Sequence, residues 1–304
     1  MFAAPAEIEA EVFTRMPDSF RRRGQPAPWL EFHLRGAERD SLLEGPAFDR
    51  QGNLYVVDIP YGRVFRISPA GEWTLIAEYE GEPNGLKIHR DGRIFVADNA
   101  RGLMELMPET GQVRCVLDGY RHEKFKGLND LTFAADGTLF FTDQGQTGLD
   151  DPTGRLYRLL PGGQLERLLD NIPSPNGLSV SADGSTVFVA ATRGNAVWRV
   201  PLLRNGWPHK VGIHLQLSGG VGPDGMAPLA NGGVAVAHVG LGCVWFFDAA
   251  GEPILRVRSP LGRSTTNLAF GGAGNGELFI TEAESATVLR ASVPFPGAAL
   301  FSHQ

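Results

Sequence analysis

Oxygen-bearing side chains recur at one kind of place along this chain, the entry to a short apolar stretch. Glu44 opens "EGPAFDRQGNLYVVD", Asn84 lies in "EPNGLKIHRDGRIFVAD" and Asn129 in "GLNDLTFAADGTLFFTD". Asn176 lies in "PSPNGLSVSADGSTVFVA", Asp224 in "GPDGMAPLANGGVAVAH" and Thr266 in "TTNLAFGGAGNGELFITE". An isolated Asn or Asp beside Gly is ordinarily a turn residue. Brought together, these six side chains would be something else, a set of hard oxygen donors. Two carboxylates, Glu44 and Asp224, balance one divalent ion, and the asparagine amides add ligands without charge. With no Cys or His in the set, the chemistry points to one divalent cation, Ca²⁺ first, with Mg²⁺, Mn²⁺ or Zn²⁺ as the other candidates. Few protein ligands leave coordination positions open to water or substrate, as a catalytic metal requires.

The chain contains elements able to bring these residues together. The six stretches are spaced roughly 40–50 residues apart, the length of a propeller blade. Each holds two apolar runs joined at a pair suited to positive φ: Gln51-Gly52, Asp91-Gly92, Asp136-Gly137, Asp183-Gly184, Asn231-Gly232 and Asn275-Gly276. A third run follows in every repeat and a fourth in five of them. After "TVLRAS" only "VPFPGAALFSHQ" remains, and its prolines make a poor strand. The apolar-alternating "EVFTRM" at 11–16 is therefore expected to supply the missing outer strand, since an uncovered edge is a liability. The expected fold is all-β, a six-bladed propeller closed by an N-terminal strand in the last blade. Its expected parts are an extension at 1–40, the propeller at 41–293 and a tail at 294–304.

In such a ring the first strand of each blade lines the central channel. The openers Glu44, Asn84, Asn129, Asn176, Asp224 and Thr266 would then surround the axis at one face. The ends of the second strands, Asp58, Asp98, Asp143, Ala191, His238 and Glu282, would form a second ring at the mouth. Composition bounds the rest. The 304 residues are 42% hydrophobic and carry a net charge of −6, which argues against nucleic acid as partner. "FRRRG" at 20–24 reads as a solvated run, and Cys115 and Cys243 match no metal or redox spacing. No basic leader and no apolar span is present, so no membrane and a cytoplasmic location are expected.

With these residues in place the sequence resembles the gluconolactonase, senescence marker protein (regucalcin) and luciferin-regenerating enzyme family of six-bladed propellers. The likeness runs from about Glu44 to Val293 through "EGPAFD", "LYVVDIPYGRVFRI", "LNDLTFAADGTLFFTD", "SPNGLSVSADG", "GPDGM" and "TTNLAFGG". The resemblance implies metal ligation by Glu44, Asn176 and Asp224, with Asn129 as ligand or substrate contact. It implies hydrolysis of sugar lactones or related cyclic esters. The chain departs from the animal sugar lactonases, which carry an Arg two residues before the "ND" asparagine. Gly127 stands there, with Lys126 before it.

The substrate-binding candidates are accordingly Asn129, Asn84 and Lys126. Asp224 is the first candidate for the base, with Asp143 and His238 in contention. No "GxSxG" motif supports a serine nucleophile. The rival readings are a metal-dependent phosphotriesterase on the same ring and a ligand-binding propeller that catalyses nothing. The partner is expected to be a small-molecule lactone or ester, and the protein a monomer or dimer.

Overall fold

The computed structural model describes residues 4–304. Its strands form six antiparallel blades arranged in sequence around one axis, with a small separate hairpin of Gly119–Tyr120 and Glu123–Lys124. Blade 1 comprises Leu43–Phe48, Leu54–Asp58, Arg63–Ile67 and Trp73–Glu78, innermost strand first. Blades 2 to 5 repeat this order from inner strands Pro83–Ile88, Leu128–Phe133, Pro175–Val180 and Gly222–Pro228. Blade 6 has Thr265–Gly271, Glu277–Glu282 and Thr287–Ser292, and its fourth strand is Glu11–Arg15. That N-terminal strand runs antiparallel to the third, with Glu11 opposite Arg290 and Arg15 opposite Thr287. The ring is closed as the missing outer strand implied.

The N-terminus does more than this. Ala6–Glu9 lies parallel to Pro253–Arg258 as a fifth strand of blade 5, so one segment straps blades 5 and 6 together. The loops between first and second strands carry positive φ at Gly52, Gly92, Gly137, Gly184 and Gly232. In blade 6 Gly272, Gly274 and Asn275 take that conformation, and Gly276 does not.

Alternating apolar residues bury themselves between neighbouring blades. One cluster joins blades 1 and 2 through Val57, Val64, Leu86 and Val96. Another joins blades 6 and 1 through Leu43, Val56, Ala269, Phe279 and Val288, with Met16 of the N-terminal segment packed into it. Such burial, at roughly 25 cal/mol per Å² of apolar surface, is what holds a ring whose blades share few hydrogen bonds with each other.

The remaining segments cover the two ends of the channel. On the opener face the extension crosses blade 1, where the single Tyr61 hydroxyl proton is shared between the carbonyls of Arg39 (2.9 Å) and Gln25 (3.0 Å). It includes a short helix, Pro28–His33, whose His33 Nδ1 lies 3.5 Å from Gln146 of blade 3. On the opposite face the C-terminal tail crosses the channel. Phe301 stacks on Phe133 with ring centroids 4.9 Å apart, and Ser302 Oγ donates to the Phe48 carbonyl at 3.1 Å. Between tail and strands lies a cavity of about 110 Å³ lined in part by Lys87, Thr132, Met226 and Phe301. Among the described residues no helix is long and apolar enough to cross a membrane.

Candidate metal centre and active site

All six innermost strands break register at the same point. The shift falls between Glu44 and Ala47, Pro83 and Gly85, Leu128 and Leu131, Pro175 and Leu178, Pro223 and Met226, and Thr265 and Asn267. A bulge adds a residue to one strand and re-aims its side chains. Here it places two consecutive residues of each strand, the opener and the one after it, at the channel. The polar openers are thus strand residues displaced onto the axis, which is why a poor strand former such as Asn176 can open a strand.

Glu44, Asn129, Asn176 and Asp224 are all buried there. The Asn176 amide acts on the Asp224 carboxylate, lowering its pKa against the larger effect of burial. Asn129 donates its amide N–H to Gln144 Oε1 at 3.0 Å, and Gln144 donates in turn to Ser174 Oγ at 2.9 Å. Among the described residues the Asn129 side-chain amide oxygen takes part in no hydrogen bond. Asn84 is half-buried on the same rim. Thr266 behaves differently. Its hydroxyl donates to the Leu43 carbonyl at 2.9 Å and lies 2.9 Å from Thr281 Oγ1, so it ties blade 6 to blade 1. Of the six openers, Thr266 therefore does not serve the channel as a donor.

The residues after the openers complete the centre. Four are glycine, and the two others, Asp130 of blade 3 and Asn267 of blade 6, come from opposite sides of the ring. Asn267 Nδ2 donates to Glu44 Oε2 at 2.7 Å and to Asp130 Oδ2 at 3.2 Å. The glycines leave room for this pair. A Cβ at Gly85 would collide with Asp130 Oδ1, and one at Gly225 with Asn267 Oδ1. Burial and then the nearby Asp130 push the Glu44 carboxyl up to about 8. Asp224 is raised well above the usual carboxylate range by burial, then by Glu44 and Asp130. Among the described residues no three His, Cys, Asp or Glu side chains cluster as a metal site. The converging donor set is mixed, carboxylate with amide. Acids so short of positive charge, beside free amide oxygens, fit a hard divalent cation held by Glu44, Asn129, Asn176 and Asp224.

The ends of the second strands do not surround the mouth as a ring of free groups. Asp58 accepts from Leu42 N at 2.7 Å and pairs with buried Arg63, and Asp98 accepts from Glu82 N at 3.0 Å. Asp143 Oδ1 accepts from Lys126 N at 2.7 Å and Gly127 N at 2.8 Å, while its Oδ2 faces Arg155 at 3.5 Å. Glu282 accepts from Glu284 N at 2.9 Å. These acids hold the loops at the opener face. His238 occupies the same station with Nε2 on the Gly219 carbonyl at 2.9 Å. Its Nδ1 is buried without a partner, and burial lowers its pKa. Lys126 turns its ammonium to Thr153 Oγ1.

Above the ring opens a cavity of about 430 Å³ lined by His33, Gln144, Gln146, Leu149, Ser174 and Arg193, among others. Gln144, bonded to Asn129, and Ser174, two residues before Asn176, connect it to the ring. A larger cleft of about 870 Å³ lies within the extension, between residues 21–40 and Glu284, and contains none of the ring residues.

Residues 42–284 match the model of the SMP-30/Gluconolactonase/LRE-like region. The chain belongs to this family. Lactonase drp35 of Staphylococcus aureus strain MRSA252 is 27% identical over 245 residues, covering 77% of this chain and 73% of that protein. A structure of the calcium-binding protein regucalcin from Agrobacterium tumefaciens is 25% identical. It covers 96% of this chain and 98% of its own, with a TM-score of 0.73. A gluconolactonase of Xanthomonas campestris shares the fold at 23% identity and a TM-score of 0.74, over 98% of this chain and 100% of its own.

Within this SMP-30/gluconolactonase chain the absence of Arg at position 127 is built into the backbone. Gly127 has φ of 149°, and a side chain there would run into Asn99. The sequence reading missed Asp130, Asn267, Gln144 and Lys87. The signal available for the first two was the position after the opener, glycine in four repeats and Asp or Asn in the other two.

Proposed function

We propose that this protein is a metal-dependent hydrolase that opens a lactone, a sugar lactone or related cyclic ester, with one divalent cation, Ca²⁺ foremost. Glu44, Asn129, Asn176 and Asp224 would hold the ion. The observation that carries this reading is the convergence on one axis of two buried acids and two amides with so little positive charge beside them. A bound cation supplies Lewis-acid polarisation of a carbonyl oxygen. The protein's own groups do the rest. Gln144 fixes the Asn129 amide so that its oxygen faces the channel, and Asn84 and Asn129 flank the entering ester. With the Lys126 ammonium held at Thr153, that residue is the weakest of the substrate-binding candidates.

Asp224 is the base in this reading, because it alone of the three candidates lies in the ring. The Asp143 oxygens are taken by two backbone N–H groups and Arg155, and His238 is tied to Gly219. The carboxylate takes a proton from water as its oxygen adds to the ester carbon. It returns the proton to the alkoxide as the ring C–O bond breaks, giving a hydroxy acid. The buried, nearly closed ring keeps bulk water from competing for these groups.

Substrate panels with and without a chelator test this reading. Lactone opening that stops on chelation and returns with Ca²⁺ is the expected result. Turnover of phosphotriesters but no lactone would favour the phosphotriesterase. Binding of small molecules without turnover would favour a non-catalytic propeller.

A further inference from the structure

Beneath the ring the channel carries charges that ligation does not use. Asp130 is 2% exposed, accepts from Leu131 N at 2.8 Å and from Asn267 Nδ2 at 3.2 Å, and has Lys87 Nζ 4.0 Å from its Oδ1. Lys87 rises from the small cavity under the tail, and its field acts on both Asp130 and Glu44. The equivalent position in the other inner strands holds Ala47, Thr132, Ser179, Ala227 or Ala269, none able to supply a charge. On the other side of the ring Arg193 also acts on Asp224, but from the exposed mouth, where solvent screens it. Three axial carboxylates, Glu44, Asp224 and Asp130, thus face one ammonium inside the channel, leaving two negative charges. That remainder equals the charge of one divalent ion.

Asn267 links the two levels. One amide nitrogen bridges Glu44 Oε2 and Asp130 Oδ2, while its own oxygen is held by Leu268 N at 2.8 Å. The amide is therefore fixed at both ends, and Glu44 Oε2 is further held by Gly45 N at 2.7 Å. Only Oε1 of Glu44 is left to the ring.

We propose that Lys87 and Asp130 form an axial charge pair that matches the centre to a divalent cation, and that Asn267 is a positioning residue that presents Glu44 Oε1 to that cation. The pair sits beneath the ligands without joining them. It sets how much charge the site can balance, whereas Asn267 sets where one ligand oxygen lies. This inference rests on the divalent-metal reading above and adds residues that the reading did not require.

The test is titration of metal-stripped protein with Ca²⁺ by calorimetry and with Tb³⁺ by luminescence, in wild type and four variants. Lys87→Met leaves a third unbalanced negative charge, so preference for Tb³⁺ over Ca²⁺ should rise by about tenfold or more. Asp130→Asn should weaken Ca²⁺ binding by about tenfold, and the double variant Lys87→Met/Asp130→Asn, with charge rebalanced, should return towards wild type. Asn267→Ser should weaken both ions together and leave their ratio unchanged, as expected for lost positioning. The Lys87 side chain is 24% exposed and lines the small cavity under the tail, where a methionine of similar length can be accommodated. An unchanged Tb³⁺/Ca²⁺ ratio in Lys87→Met, or a double variant as weak as Asp130→Asn, would overturn the charge pair while the metal site stands. Failure of wild type to bind either ion would overturn the metal reading and this inference together.

Discussion

Glu44 and Asp224 are acids in an environment that opposes their charge, and their behaviour decides what the centre does. Glu44→Gln preserves shape and removes one neutralising charge, so Ca²⁺ affinity should fall at least about tenfold by calorimetry. Asp224→Asn should lower kcat by about a hundredfold or more even at saturating metal, measured by proton release from lactone opening. The raised Glu44 pKa also gives a stability signature. As pH climbs from its ordinary value of 4.5 to about 8, the unfolded chain releases this proton while the metal-free folded chain keeps it. Folding stability of metal-stripped protein should therefore fall across that window, and the fall should flatten in Glu44→Gln. Scanning calorimetry at several pH values reads both. The ring donors were legible because a polar residue recurred at one station of a repeat. Asp130, Asn267 and Lys87 were not, because strict strand alternation hides a bulge that turns two neighbours onto one axis. Asp143 and His238 stood out as strand-end polar groups, yet backbone N–H and carbonyl groups occupy them. Sequence records the polar group and not its partner.

The elements carry the ring's closure. Glu11–Arg15 pairs with Thr287–Ser292, and Phe13 packs edge-on against Phe279 with centroids 5.2 Å apart. Deleting residues 1–17 would strip both N-terminal strands, exposing the edges of blades 5 and 6. The truncated chain should aggregate or lose thermal stability by at least about 10 °C in a melting experiment. A soluble truncation melting with the full chain would refute the closing role. The outer strand of blade 6 was legible from arithmetic, since the last repeat lacked one strand and an unassigned alternating segment was available. The parallel strand Ala6–Glu9 was not. Four residues, "AEIE", carry too little pattern, and their partner lies about 250 positions away. The same holds for Pro28–His33, a single short helix set over the face by hydrogen bonds from the Tyr61 hydroxyl to its flanking segments rather than by a strong amphipathic period.

At the scale of the whole molecule, six near-identical blades convert a weak local feature into a strong central one. A single bulged strand offers one polar side chain, and the ring offers several at one point while its inter-blade cores hold them still. The extension roofs part of one face and the tail closes the other, so the centre opens mainly through the cavity bordered by Arg193 and His33. The repeats made this architecture readable, whereas the covering segments, which shape the entrance, lie outside any repeat. Whether one divalent cation on the axis drives lactone opening is tested most directly by the rate of lactone hydrolysis by metal-stripped protein as Ca²⁺ is added in stoichiometric steps. Negligible activity is expected at the start, then a rise that saturates at one ion per chain, with a right-shifted curve for Glu44→Gln. Full activity in the metal-stripped protein, unaffected by added Ca²⁺ or by chelator, would contradict that role of the cation.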